Sequence, residues 1–328
     1  MITTEIGPSS DADIRRAWNT LVHSRHDSTP FHQLAFLERS AAANGGLVRI
    51  ILIRADEEVV SGAALAVRQR LGFLTEVFIP PYAPYSALLL PPQRLASAQA
   101  AAASSMLLSA SLPRFGFARV FLAPGQNVAT LPAWKSQKLR TFLIDTHAGG
   151  VESIDDITRR WSDNPKRLFR KHHDEYAIEI LDAHPEVAVD LNVASYARHG
   201  RTLPIPRRHL IGLVSAMVDH GAANIFVARN RSTSEIDASV VLLFDDSTAF
   251  YWIAGSKPGP AMTVLIADLL MECRRRGLRT FDFVGANTPG IADFKRRFGP
   301  DLIEYTSLIG ASPGVLGIAL AARRRLMS

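Results

Sequence analysis

The chain has 328 residues, 47% hydrophobic and 21% charged, a length and balance that allow one large core or two ordinary ones, with two the expectation. Lys and Arg number 37 against 31 acids, a net charge of +6 and an isoelectric point near 9.7, which favours polyanionic partners such as phosphates, RNA or acidic lipid. No stretch approaches the ~20 apolar residues of a membrane span, Met1 to Trp18 lacks the apolar run of a secretory signal, and the single cysteine excludes an intrachain disulfide, so the expected setting is the cytoplasm.

In chain order, Arg49 to Arg54 and Val59 to Arg68 read as a hairpin around Asp56, Glu57 and Glu58, with Phe73 to Ile79 as a third strand. Prolines from Pro80 to Pro92 punctuate a loop carrying Tyr82 and Tyr85. Leu95 to Leu112 is alanine-rich and helical, and strands follow at Ala118 to Leu122 and Leu139 to Asp145. The polar stretch His147 to Gly150 is the expected boundary, giving domains 1–150 and 151–328. Beyond it come helices at Ile154 to Trp161 and Pro165 to Glu175, a strand at Ala177 to Leu181 and a helix at Glu186 to Arg198. Pro206 to His220 has proline at the expected first helical position, Leu210, Leu213, Val214, Met217 and Val218 on one face, and Gly221 as terminator. Strands at Asn224 to Arg229, Ala238 to Phe244 and Ala249 to Ile253 precede helix Ala261 to Arg276, where Cys273 reads as a small buried hydrophobe. Strand Arg279 to Phe283, helix Gly290 to Arg297, strand Leu302 to Ile309 and a last helix complete an α/β chain with mixed sheets, each half placing helices and a strand after a meander.

Phe250 to Pro260 runs as a strand into Gly255, Ser256, Lys257 and Gly259 and then into a helix. A glycine loop at a helix start offers unpaired N–H groups to phosphate, with Lys257 as a mobile cation; the competing reading is a turn that needs Gly and Pro for geometry. Alternation in the strand after Arg279 sends Asp282 to the face opposite Phe281 and Phe283. A buried acid is expensive without a partner, so Asp282 either meets substrate or water in a cleft or is satisfied by a structural cation. In the next helix Ile291, Phe294 and Phe298 share an inward face, with Lys295 beside them.

These residues carry a resemblance. The Tyr251 strand, Ala254-Gly255-Ser256, a long helix ending at Gly277, Phe281-Asp282-Phe283-Val284-Gly285, Gly290-Ile291, Phe294-Lys295 and Phe298-Gly299 resemble, in that order, the C-terminal half of FemAB-type, GNAT-related acyltransferases. Upstream, Trp161, Pro165, Lys166, Arg167, Leu168, Arg170 and Lys171 resemble the family's basic helix, and Thr29 to Gln33 with Phe36-Leu37 its N-terminal segment. The resemblance implies two GNAT-like domains with a cleft between them. It implies a donor that is either an aminoacyl-tRNA or, in the polysaccharide-associated branch, an acyl-CoA. It sets Lys295 near the acyl-transfer channel, and Arg167, Arg170 and Lys171 near a phosphate-bearing ligand. The chain lacks the long charged helical hairpin of the tRNA-using peptidoglycan enzymes.

Acyl transfer to an amine needs a neutral acceptor and donors for the tetrahedral oxyanion, and no covalent nucleophile. The expected roles are positive charge from Lys295, orientation or deprotonation of the amine by Asp282, and a hydrogen bond from Tyr251. Phe294, Tyr82 and Tyr85 are candidate lining residues, tyrosine under a loop being the commoner reading of the last two. On the basic helix, Lys166 with Arg170 and Arg167 with Lys171 form like-charged i,i+4 rows, so something anionic should face them. No metal is expected: His172 and His173 point about 100° apart on a helix, and His23 and His26 have no accompanying acid or cysteine ligands. P-loop, dinucleotide, nucleophile-elbow and zincin motifs are absent. The tail Gly314 to Leu326, apolar with Arg323, Arg324 and Arg325, is either a docked terminal helix or a contact to an anionic membrane at its inner face, which would suit a lipid-linked acceptor. Three functions follow: an N-acyltransferase using acyl-CoA on an amine of a sugar, polysaccharide precursor or small metabolite; an aminoacyl-tRNA-dependent aminoacyltransferase; or a non-catalytic module binding RNA or acidic lipid. DNA is not an expected partner.

Overall fold

The computed structural model describes residues 1–129, 131–147, 153–312 and 314–315. Two compact units divide it: Met1–Leu139 with the described residues from Tyr305 on, and Arg140–Glu304. Residues 148–150 of the expected boundary stretch lie outside the described residues. The chain passes from unit 1 to unit 2, and returns, inside strands, so no Gly/Pro-rich linker signals either crossing.

Unit 1 holds β1 (Ile2–Pro8), α1 (Ala12–His23), α2 (Leu34–Ala42), β2 (Leu47–Ala55), β3 (Glu58–Arg70), β4 (Leu74–Phe78), β5 (Ala87–Leu89), α3 (Ser97–Ser111), β6 (Gly116–Phe121) and the start of β7 (Trp134–Asp145). Its sheet runs β1-β2-β3-β4-β6 and ends on β13 (Asp301–Ala311), with β5 paired to β3. The β2-β3-β4 meander matches the expected hairpin and third strand; Asp56 turns the first corner with φ 55°. Asp11 caps α1 by accepting from the N–H groups of Asp13 and Ile14 at 3.0 and 3.2 Å. Ala103, Leu107 and Leu108 of α3 are fully buried against Val77, Val120 and Leu308, so the helix of small residues lies close to the sheet.

Buried chemistry in unit 1 is structural. Trp18 donates from Nε1 to the His32 carbonyl at 3.1 Å. The His32 ring accepts from the Thr29 N–H at 2.9 Å and faces the Leu88 carbonyl at 3.3 Å, which fixes a neutral tautomer with the proton on Nε2. Burial pulls its pKa from 6.5 down to about 4. A group with a depressed folded pKa holds fewer protons folded than unfolded. His32 therefore stabilises the fold above pH 6.5, and that contribution is lost as pH falls toward 4. From pH 7 to pH 5 we expect about 2 kcal/mol of stability to go through this residue. Urea midpoints of the wild type and His32→Gln at both pH values check it; equal pH slopes for the two proteins would refute it.

Unit 2 holds the rest of β7, α4 (Ile154–Thr158), α5 (Asp163–His172), β8 (Tyr176–Ile180), α6 (Pro185–Arg198), α7 (Arg207–Asp219), β9 (Ala223–Asn230), β10 (Ile236–Phe244), β11 (Thr248–Ser256), α8 (Ala261–Arg275), β12 (Thr280–Asp282) and α9 (Pro289–Arg296). Its strand order is β7-β12-β11-β10-β9-β8, with β11-β12 parallel and the other neighbours antiparallel. The α/β class with mixed strand directions agrees with the sequence reading. Helix α7 starts one residue later than expected, because Pro206, at ψ 143°, is the cap rather than the first helical residue. Helix α8 is buried almost all round, with Leu265, Ile266, Ala267 and Leu269 fully covered. Cys273 lies on it, fully buried, and burial pushes its thiol up to about 12, so it is a core residue and no nucleophile. Among the described residues no helix is long and apolar enough to cross a membrane. The expected last helix is described only at Gly314 and Val315; residues 316–328 lie outside.

Candidate active site

Within unit 2 one pair of parallel strands separates. β11 pairs β12 only over Thr248–Phe250 against Thr280–Asp282, yet β11 continues to Ser256. Past Asp282 the chain stays with β7 instead: the Phe283 N–H donates to the Phe142 carbonyl at 2.9 Å and the Ala286 N–H to the Arg140 carbonyl at 2.8 Å. The two strands diverge at Phe283.

The turn at this divergence is strained and held from every side. Val284 and Gly285 both adopt left-handed backbone, with φ 56° and 83°, a conformation that costs a β-branched residue of order 1–3 kcal/mol. The Val284 N–H donates to Asp282 Oδ1 at 2.8 Å, and the Gly285 N–H to Thr141 Oγ1 at 3.0 Å. Thr141 donates its own proton to Asp282 Oδ1 at 2.6 Å. The three carbonyls of Phe283, Val284 and Gly285 all point at Lys295 Nζ, at 2.6, 3.0 and 3.0 Å. An ammonium has three protons and here each meets a carbonyl. Lys295 is 6% exposed; burial pulls its pKa down to about 8, opposed by the Asp282 carboxylate. At neutral pH it is an ammonium, serving as the central post of the turn.

Tyr251 lies beside this post, its ring centroid 6.0 Å from Lys295 Nζ and 5.5 Å from the ring of Phe283. Its hydroxyl donates to Met262 Sδ at 3.2 Å, and burial raises its pKa. The structure thus gathers Tyr251, Asp282 and Lys295 in one buried cluster. Phe294 packs edge-to-face on Phe298, 5.1 Å between centroids. Of the expected inward face, Phe298 is buried and Phe294 packs against the core, whereas Ile291 is 44% exposed; Ala292 and Lys295 are buried beside them, the latter held by the three carbonyls.

The glycine loop requires correction. Gly255 and Ser256 belong to β11, paired with Ser239 and Ala238. A Cβ on Gly255 would overlap the α6 backbone at Leu191 and Asn192, so glycine is there to let α6 approach the strand. Two of the N–H groups proposed for phosphate are already used: Ser256 donates to Ser195 Oγ at 3.1 Å and Lys257 to the Asp237 carbonyl at 2.7 Å. Lys257 is no mobile cation either, because Glu235 and Asp237 hold its ammonium at 2.6 and 2.9 Å and raise its pKa. Gly259, with φ 143°, remains a conformational glycine in the turn before α8.

The basic helix fares differently. Lys166, Arg167, Arg170 and Lys171 of α5, with Asp163, line an open depression of about 460 Å³. None of the four cations forms an ion pair among the described residues, and Arg167 makes only a 3.3 Å contact to Asn164 Oδ1. Phe169 on the other side of α5 anchors the helix against Trp161. In unit 1, Tyr85 is buried edge-to-face on Tyr305, and Tyr82 takes left-handed backbone with φ 64°. The described residues contain no group of three metal-ligating side chains.

Sequence reasoning passed over Thr141, Asn192 and Ser195. Asn192 donates to the Ala254 carbonyl at 2.7 Å, and with Ser195 it satisfies the β11 edge that β12 leaves. An asparagine in a helix interior is itself a usable signal, because its side chain competes for backbone hydrogen bonds. Thr141 carries none, being an ordinary strand former.

Residues 158–296 match the acetyltransferase (GNAT) domain family. That segment of the chain is similar to GNAT acetyltransferase domains. The fold of the chain is that of FemX, whose crystal structure superposes over 89% of this chain and 95% of its own with a TM-score of 0.63 at 12% identity. A conserved protein of unknown function from Bacteroides thetaiotaomicron superposes over 95% of this chain and 100% of its own, TM-score 0.55 at 10% identity. At these identities the likeness of this chain to both is one of fold. No curated protein matches the sequence significantly. The family match spans α5, the diverging strands and the Lys295 turn, so these elements lie within the segment that resembles a GNAT domain.

Proposed function

We propose that this protein is an N-acyltransferase that takes an acyl group from a thioester donor of the acyl-CoA type and passes it to an amine on a cell-envelope sugar, a polysaccharide precursor or a small metabolite. The observation that carries the reading is the unpaired cation cluster on α5 inside the GNAT-like segment. A compact donor with a few phosphates suits four clustered cations in a shallow depression. In this reading the amine attacks the thioester carbonyl, a C–N bond forms as the C–S bond breaks, and the amine proton leaves with the departing thiol. Lys295 and Asp282 act as positioning groups: they hold the Val284–Gly285 turn where β12 leaves β11, and Tyr251 backs that turn from the core. Lys295 also supplies positive charge at the transfer site. Phe294 lines the donor side.

A second reading, an aminoacyl-tRNA donor, draws on the same basic face, which also suits an extended polyanion. Helices α6 and α7 both pack on the unit 2 sheet, rather than forming a charged arm for tRNA, which favours the small donor. The test is turnover: free thiol released from acetyl-CoA or a longer acyl-CoA in the presence of candidate amines. Amine-dependent thiol release is expected; release from no acyl-CoA, together with transfer from charged tRNA, would replace this reading with the second.

A further inference from the structure

One end of the unit 1 sheet is built unlike the rest of the surface. The turn between β3 and β4 is formed by Leu71 and Gly72, with φ 53° and 76°, and it lifts Leu71 to 81% and Phe73 to 60% exposure. Leu47, at the start of β2 opposite Val67, is 75% exposed at the same end. Phe73 packs on Phe115, 6.0 Å between centroids, and the Thr75 N–H donates to the Phe115 carbonyl at 3.1 Å. A turn of this kind is ordinarily polar, so large apolar side chains at its tip ask for a partner.

Charge says which partner. Arg68 and Arg119 line one depression with a single acid, Glu76. Arg70, which shares Glu76 with Arg68, and the exposed Arg114 flank the tip. Strand β13 ends here too: Ala311 pairs with Phe117, the Ser312 N–H donates to the Gly116 carbonyl at 2.9 Å, and Gly314 lies against the Phe115 ring.

We propose that this end of unit 1 docks on an anionic lipid surface, with Leu71 and Phe73 entering the acyl boundary and Arg70 and Arg114 meeting the headgroups. Apolar tips ringed by cations are the recognised chemistry of interfacial attachment, each part being weak alone. RNA would use the arginines but has no apolar phase for Leu71. The experiment is co-sedimentation of the full chain with phosphatidylcholine vesicles, with and without phosphatidylglycerol. Binding to the phosphatidylglycerol vesicles is expected, and Leu71→Asp with Phe73→Asp should weaken it at least about tenfold. Arg114→Gln should weaken it less and reduce its salt sensitivity. Both variants alter exposed side chains, so unchanged thermal melts are expected. Equal partition of the wild type and the double variant, no binding to anionic vesicles, or a tip that mediates only self-association in vesicle-free solution would each overturn the proposal.

Discussion

Replacing Lys295 with Met should destabilise the protein by on the order of 3–5 kcal/mol and lower the kcat of whatever folds by at least about tenfold. Three carbonyls converge on one ammonium at 2.6 to 3.0 Å, and each buried carbonyl left without a donor costs about 1–3 kcal/mol. The thioether keeps the bulk, so cavity formation contributes little. The left-handed Val284–Gly285 turn, no longer tied to α9, should relax, and β12 with it. Because the basic face of α5 is untouched, the donor KM should change much less than kcat. Should the variant fail to accumulate, Thr141→Val provides a milder probe: it removes the donor to Asp282 and the acceptor of the Gly285 N–H, at an expected cost of about 1–3 kcal/mol. A Lys295→Met protein that melts like wild type and turns over at full rate would end the role assigned to this residue.

The second large effect is expected on binding alone. Arg167→Gln, Arg170→Gln and Lys171→Gln together should raise the donor dissociation constant about 10- to 100-fold, as three charge-assisted contacts of modest size are lost. The melting temperature should hold or rise slightly, because the like-charged i,i+4 rows repel one another in the free helix. This opposition between weaker binding and undiminished stability separates a ligand site from a solvated surface. If donor affinity is unaltered, the α5 depression is not where the donor's phosphates sit.

The sheet of unit 2 was legible because its elements carry their own periodicities: the apolar face of α7, the near-continuous apolar run of α8, and strands β9 to β11 flanked by turn residues. The start of unit 1 was not. Strand β1 exists through its antiparallel pairing with β2, from Ile2 with Ala55 to Pro8 with Arg49, a long-range contact that local pattern does not announce. At the site, the cluster of Tyr251, Asp282 and Lys295 emerged from the resemblance, yet its physical logic did not. Nothing local marks Val284, a β-branched residue, for left-handed backbone, and the three acceptors of Lys295 come from a segment ten to twelve residues upstream. Gly255 misled for a related reason: glycine signals both loop flexibility and close packing, and only the position of α6 decides between them. The basic helix was readable since its like-charged rows have no intrahelical remedy, and in the fold they remain without ion pairs among the described residues.

Calorimetric titration of the purified protein with an acyl-CoA, at low and moderate salt, tests the central claim most directly. Saturable binding that weakens only modestly with added salt, as a ligand with few phosphate contacts requires, is the predicted result. No heat with any acyl-CoA, alongside steeply salt-dependent binding of charged tRNA, would contradict it.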